Sequence, residues 1–308
     1  AARQPVVSFA VALLALVWLA TVLLIETERK TLQRDSETDV ANLAIVFAQN
    51  VARSIDDIDR LMLYLSEAHE RSESGFDWPA IIKGRYTINK ETLQIAVTDA
   101  SGMLIASSIA AVAGKAIDLS DREHIRVHLI NGSDRLFISK PVLGRVSGKW
   151  SVQLTRRYHY RDGQMAGVIV VSLDPDHLSR AYGSLTLGEG SGLAVVGTDD
   201  VVRAGTGPYA RLLGRGLPQA EVFGEANPNR DGTTVFEAGP NNNARVVATR
   251  PVADYPLFVM VRGRSYITST DWQTKRGNYV IGAIALSLVT LLAMCVALRF
   301  RGRYENQI

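Results

Sequence analysis

Two guanidinium and two imidazole side chains crowd one short stretch of this 308-residue chain: Arg122, His124, Arg126 and His128, within DLSDREHIRVHLIN. A guanidinium fork at a helix start can grip a carboxylate or phosphate bidentately, near the positive end of the helix dipole. Arg122 is the candidate for that role, and Arg126, one turn on, could join it. The competing reading is a solvated Arg122 paired with Asp118 or Asp121. His124 and His128 are four apart with Asp121 on the same side, a spacing that could share a metal. No third strong ligand follows by spacing, so no metal is assigned, and hydrogen-bonding or exposed imidazoles are expected instead.

A second group of candidates comes from strands. Between Trp150 and Tyr158, residues Trp150, Val152, Leu154 and Arg156 share one face, and Ser151, Gln153, Thr155 and Arg157 share the other. Either face could line a cavity, which makes Trp150, Gln153 and Thr155 candidates. Phe137, Ser139 and Lys140 on the preceding strand carry the same ambiguity. A single Trp more often belongs to a core than to a ligand wall. Catalytic signatures are missing. Gly188, Gly190 and Gly192 are too regular for a phosphate loop and lack the following Lys. No spacing supports a Ser-His-Asp set or paired carboxylates. No catalytic residue and no cofactor is assigned.

These side chains need elements to hold them. Ser120, with Glu123 three residues later, reads as the N-cap of a helix running to about Ile130, which Asn131-Gly132 ends. Strands are expected at Leu93–Thr98, Met103–Ser107, Leu136–Leu143, Trp150–Tyr158 and Met165–Leu173, with turns at Asp99–Gly102 and Arg161–Gly163. Asp174-Pro175 opens a short helix through Tyr182. A smaller copy of the same grammar follows. It has a hairpin at Leu193–Val196 and Val201–Ala204, a short helix at Pro208–Leu213, and strands at Thr233–Glu237, Arg245–Pro251 and Leu257–Arg262. Asn241 to Asn243 form the turn between the first two of these strands. Upstream, Thr27 to Glu70 reads as one long helix, with Val40, Leu43, Phe47, Val51, Ile55, Ile58, Met62 and Leu65 on one stripe. That stripe could pack on a domain, on a second copy of the chain, or on both.

Composition bounds the rest. Hydrophobic residues make up 47% of the chain, which excludes a disordered or collagenous polypeptide. Cys295 is the one cysteine, so an internal disulfide and a cysteine-rich zinc site are impossible. A net charge of +3 gives no case for nucleic acid. Val6–Ile25 and Tyr279–Leu298 are uncharged, and twenty residues at about 1.5 Å each can cross a hydrocarbon core of about 30 Å. Arg3 before the first run and Arg299, Arg301 and Arg303 after the second place both termini in the cytoplasm. Residues 26–278 then lie outside, with balanced charge and no cysteine. The chain starts without methionine and stops ten residues past the second run, so an output domain is expected beyond Ile308.

The order of span, long helix, two sheet modules and span resembles the double-Cache family of bacterial extracytoplasmic sensors. The runs that carry the resemblance are DLSDREHI at Asp118–Ile125, GRVSGKWSVQLTRR at Gly144–Arg157 and GVIVVSLDPDHL at Gly167–Leu178. The resemblance implies an α+β fold with two tandem PAS-like modules on a long N-terminal helix, flanked by two transmembrane helices. The expected organisation is a stub at 1–5, a span at 6–25 and a stalk or dimer helix at 26–72. A membrane-distal module at 73–184 and a membrane-proximal module at 185–264 follow. A helix at 265–278, a span at 279–298 and a stub at 299–308 complete it. It further implies a homodimer in the bacterial inner membrane that senses a small polar or anionic molecule in the distal module and signals to a cytoplasmic output. The distal motifs look closest to those on diguanylate cyclases, then histidine kinases. In the amino-acid-binding branch of the family, Arg122 matches the carboxylate-binding Arg. His124 and Ile125 stand where Trp and Tyr are expected, and Ser172 replaces the Asp that receives the ligand amine. An amino-acid ligand therefore does not follow. Competing functions are a periplasmic protein-binding adaptor, a chemoreceptor and an external enzyme.

Overall fold

The computed structural model describes residues 4–72, 75–84, 92–109, 116–176, 190–217, 231–236, 245–264 and 270–305. The chain divides into two compact units: residues 1–38 with 237–245 and 264–308, and residues 39–236 with 246–263. The first holds two helices long and apolar enough to cross a membrane. Their large apolar side chains, such as Phe9, Leu16, Leu288 and Leu292, are exposed rather than packed. In this unit Arg29 donates two hydrogen bonds to Glu26 (3.0 and 2.9 Å), and Lys275 lies 3.6 Å from Glu28.

The second unit holds two antiparallel sheets. Helix α1, Gln4–Arg71, is a single uninterrupted element, so the first apolar run and the expected long helix belong to the same helix. A short helix α2, Trp78–Gly84, follows and has no counterpart in the sequence reading. The first sheet comprises β1 (Thr92–Asp99), β2 (Leu104–Ser107), β3 (Phe137–Leu143), β4 (Trp150–His159) and β5 (Met165–Leu173), in the order β2-β1-β5-β4-β3. Helix α3, Glu123–Asn131, crosses between β2 and β3. The second sheet repeats the topology with β6 (Gly192–Gly197), β7 (Val202–Gly205), β8 (Gly232–Phe236), β9 (Arg245–Pro251) and β10 (Leu257–Arg264), in the order β7-β6-β10-β9-β8. A 3-10 helix, Gly207–Leu212, takes the place of α3. Helix α4, Thr270–Glu305, contains the second apolar run.

Each expected strand lies within a residue or two of an observed one. The Asp174 helix is described only at Pro175-Asp176; its continuation, the Asn241–Asn243 turn and residues 265–269 lie outside the described residues.

The stripe on α1 is spent on the chain's own sheets. Val40, Phe47, Val51, Ile55, Ile58, Met62 and Leu65 are buried in one apolar cluster with Ile95, Val97, Leu154, Ile169 and Val171 of the first sheet and Leu193, Val195, Val246, Val259 and Val261 of the second. This removes the stripe as a surface for a second copy. Burying such residues contributes about 1.5–3 kcal/mol each, which makes the helix the common spine of both sheets. Polar pins add to it. Arg156 on β4 donates to both carboxylate oxygens of Asp59 (2.7 and 2.9 Å), and the Tyr255 hydroxyl donates to Asp56 one turn away. Burial, and then the Asp56 carboxylate, push the Tyr255 hydroxyl above its usual pKa. The sheets also meet directly: Lys140 on β3 lies 3.7 Å from Asp199, which Arg203 holds in a fork at 2.7 and 3.1 Å.

Candidate functional site

The strands of the first sheet decide which face is available. Val152, Leu154 and Tyr158 of β4 join the α1 core, so Ser151, Gln153 and Thr155 turn to the opposite side. There, Gln94 on β1 and Gln153 on β4 flank Ser172 on β5 in a single cross-strand row. The Ser172 hydroxyl donates to Gln153 Oε1 (2.6 Å), Gln153 Nε2 donates to Ser151 (2.7 Å), and Gln94 Nε2 donates to Ser107 (2.9 Å). Buried polar groups must find such partners, and these do.

Over this row lies a cavity of about 30 Å³, room for about one water molecule. Its walls come from the row itself, from Leu119, Arg122 and His124 at the start of α3, and from the β3–β4 turn at 142–146. No Asp or Glu lines it among the described residues.

The start of α3 differs from the sequence reading. Ser120 does not cap the helix: its N–H goes to the Asp118 carboxylate (2.8 Å), and α3 begins only at Glu123, with Arg122 at the N-cap and no side-chain cap. The cause is tertiary. Leu119 donates to the Gly102 carbonyl (3.0 Å), and a Cβ on Gly102 would lie 2.8 Å from Ser120, so this segment is pinned to the β1–β2 turn and makes a turn of its own, with the Arg122 N–H on the Leu119 carbonyl (3.0 Å). Gly102 itself has φ of +89°, which suits glycine. The helix end matches expectation, with Gly132 left-handed at φ of +66°.

The Arg122 guanidinium makes no hydrogen bond or ion pair among the described residues, while its backbone N–H donates to the Leu119 carbonyl. Its expected competitor for solvation, Asp121, is engaged elsewhere. Arg145 in the β3–β4 turn donates to Asp121 Oδ1 (3.0 Å) and Oδ2 (2.8 Å), and to the Asp118 carbonyl. The Arg145 fork holds the Asp121 carboxyl below its ordinary pKa. His124 is 6% exposed, and its Nδ1 is buried with no hydrogen-bond partner. Burial, with Arg122 nearby, lowers its pKa to about 4, so the ring is neutral at neutral pH.

His128 lies behind, with Nε2 2.9 Å from the Thr155 hydroxyl and Nδ1 3.2 Å from the Ser133 carbonyl. Thr155 also donates to the His124 carbonyl (2.9 Å), which ties the two turns of α3 to β4. Both His128 nitrogens are thereby occupied. No group of three metal-ligating side chains is present among the described residues.

Among the sequence candidates, Arg122, His124, Gln153 and Ser172 line the cavity. Thr155 and Ser139 sit just behind the lining: the Ser139 hydroxyl accepts the Gln153 N–H (2.9 Å) and bridges an irregular register in β3. Phe137 and His128 make a T-shaped contact, with 6.4 Å between ring centroids. Arg126 faces solvent, and Trp150 is 54% exposed at the hairpin tip; neither lines the cavity. Sequence reasoning missed Gln94 and Arg145. Gln94 could have been found from its strand parity with Ala96 and Thr98; Arg145 carries no local signal beyond its place in the Gly144–Gly148 loop.

This architecture, two PAS-like sheets on one long helix followed by an apolar helix, is the double-Cache fold of extracytoplasmic ligand-binding sensor domains. The extracellular domain of rpHK1S-Z16, assigned as a histidine kinase, is 24% identical. The match has a TM-score of 0.65 and covers 78% of this chain and 98% of that one. The ligand-binding domain of the Pseudomonas aeruginosa amino acid chemoreceptor PctC, bound to GABA, is 17% identical, with a TM-score of 0.57 over 74% of this chain and 99% of that one. That of the Pseudomonas fluorescens chemoreceptor CtaA, bound to L-leucine, is 15% identical, with a TM-score of 0.58 over 78% and 99%. No family model matches the sequence, and no curated protein does. At these identities the likeness is one of fold.

Proposed function

We propose that this chain is the sensory part of a two-span bacterial membrane receptor, with residues 26–278 outside the cytoplasmic membrane and both termini inside. The first sheet forms the membrane-distal module and binds a small anion; the second forms the membrane-proximal module. One observation carries this reading. An unpaired guanidinium, Arg122, and a buried neutral imidazole with an unpartnered nitrogen, His124, meet in a cavity that no carboxylate lines. The wall therefore offers a positive charge and hydrogen bonds but no carboxylate to balance an ammonium group. That meets only half of what a zwitterionic amino acid needs.

Ligand binding must favour one arrangement of the receptor over another for a signal to pass. Helix α1 carries contacts from both modules, and the signal leaves past Arg299 to an output beyond this chain, a diguanylate cyclase or, next, a histidine kinase. The receptor acts as a homodimer, with its contact on surfaces other than the stripe buried against the sheets. The test is thermal unfolding of the detergent-solubilised chain against a panel of small carboxylates and amino acids. A carboxylate should raise the midpoint, and Arg122→Ala should abolish the rise. Stabilisation by amino acids alone, or an undiminished rise in the variant, would remove the assignment. Capture of a periplasmic protein with no small-molecule response would favour an adaptor.

A further inference from the structure

We infer that Asp121 sets the charge class of the ligand, restricting the cavity to monoanions. This rests on the reading of the cavity as an anion site and adds to it. Two guanidinium groups line the cavity, Arg122 and Arg145, but they are not equivalent. Arg145 is engaged three times, by both oxygens of Asp121 and by the Asp118 carbonyl. The Asp118 carboxylate is itself occupied by the Ser120 N–H. His124 contributes no charge near neutral pH. Of the two guanidiniums that line the cavity, Arg122 alone is free of a carboxylate fork, while Arg145 is held by Asp121 with Asp118 beside it.

A monoanion can pair with the Arg122 guanidinium. A second negative charge on the ligand would find Arg145 already paired and would approach the Asp121 carboxylate. To accept it, the turn would have to give up a bidentate fork and a carbonyl bond together. An exposed ion pair is weak by itself, but a planar fork with a third bond is geometrically specific. Discrimination between partners often comes from such a repulsive group placed beside the attractive one. The cavity as it stands, about 30 Å³, holds about one water molecule, so any carboxylate must widen it and the smallest is favoured. Asp121 is thus a positioning residue: it acts through Arg145 and not by touching the ligand.

The experiment is calorimetric titration of the full chain in detergent, at pH 7.5, with acetate, propionate, malonate and succinate. The wild-type chain should bind the better monocarboxylate at least about tenfold more tightly than either dicarboxylate. Asp121→Asn releases Arg145 and should raise dicarboxylate affinity about tenfold while changing monocarboxylate affinity less than about threefold. Arg145→Gln leaves Asp121 charged without its fork, and should weaken dicarboxylates more than monocarboxylates, a loss graded by ligand charge that a merely structural turn would not produce. A wild-type preference for dicarboxylates, or an unchanged preference in Asp121→Asn, overturns the inference. If Arg122→Ala abolishes binding while Asp121→Asn leaves the preference intact, the anion site stands and the role of Asp121 falls. If no carboxylate binds the wild-type chain, the anion site itself fails, and this inference with it.

Discussion

The two sheets share one strand order but use the face away from α1 in opposite ways. Hydrogen bonds across the two hairpins set the equivalence. Asp99 donates to Met103 as Gly197 donates to Val201, so Thr98, Ala96 and Gln94 correspond to Val196, Ala194 and Gly192. On the neighbouring strand, Val168, Val170 and Ser172 then correspond to Phe258, Met260 and Arg262. In the first sheet this face ends in the row Gln94, Ser172 and Gln153, with a cavity above it. In the second, Ala194, Val196, Val247, Phe258 and Met260 close against Tyr209 and Leu217 in an apolar cluster. Where the first sheet carries Gln94, the second has Gly192, whose missing Cβ would meet Pro208 at 2.8 Å and the Tyr209 ring at 3.1 Å. The 3-10 helix thus sits in the space that α3 leaves open. One topology serves as a container in one copy and as a filled core in the other, and the difference lies in side-chain volume and polarity.

The strongest challenge to this contrast is Phe258→Ala. The side chain is buried in the filled cluster, so truncation should cost about 3–5 kcal/mol in denaturant unfolding, with ligand affinity unchanged. A loss of less than about 1 kcal/mol would mean that the second sheet tolerates a void and is not a filled core.

Next comes pH. His124 has a folded pKa of about 4 against 6.5 in a free side chain, and burial lowers that of His128 as well. The unfolded chain therefore takes up protons below about 6.5 that the folded chain refuses, so stability falls as pH drops from there towards about 4. For His124 the full difference is about 3 kcal/mol. His124→Gln should flatten this slope, and an unchanged slope would mean that the ring is not held neutral. Below the ordinary carboxylate range, the depressed pKa values of Asp121 and Asp199 add a further loss as pH falls.

A smaller effect should come from Ser172→Ala, which removes the donor to Gln153. Unfolding should show a cost of about 1 kcal/mol, together with weakened anion binding. A stability loss with no binding change would detach the polar row from the cavity. The smallest is Trp150→Ala. Its exposed ring should contribute no more than about 0.5 kcal/mol to stability, and a larger loss in thermal unfolding would reveal packing at the hairpin tip.

Much of this was legible because short-range signals agreed with the fold. Asp99 accepts from the Ser101 and Met103 N–H groups in the turn that Asp99–Gly102 announces, and Gly132 ends α3 as its type requires. The Ser120–Glu123 spacing misled because a local capping signal competed with a distant anchor at Gly102, and the anchor won. The α1 stripe was visible as a period, but a period does not name what covers it. Arg145 stayed hidden because its partner is Asp121, on another element.

What the linear chain determined by itself was whatever depends on neighbours within a few residues: two apolar runs, the strand boundaries, the glycine turns, and a guanidinium at a helix start. Only the tertiary structure decided which face of β4 meets the cavity, that Asp121 belongs to Arg145 and leaves Arg122 unpaired, and that the second sheet is filled. The reason is physical. Charge pairing and cavity volume depend on which distant side chains share a few ångströms of space, and spacing along a chain does not encode that distance.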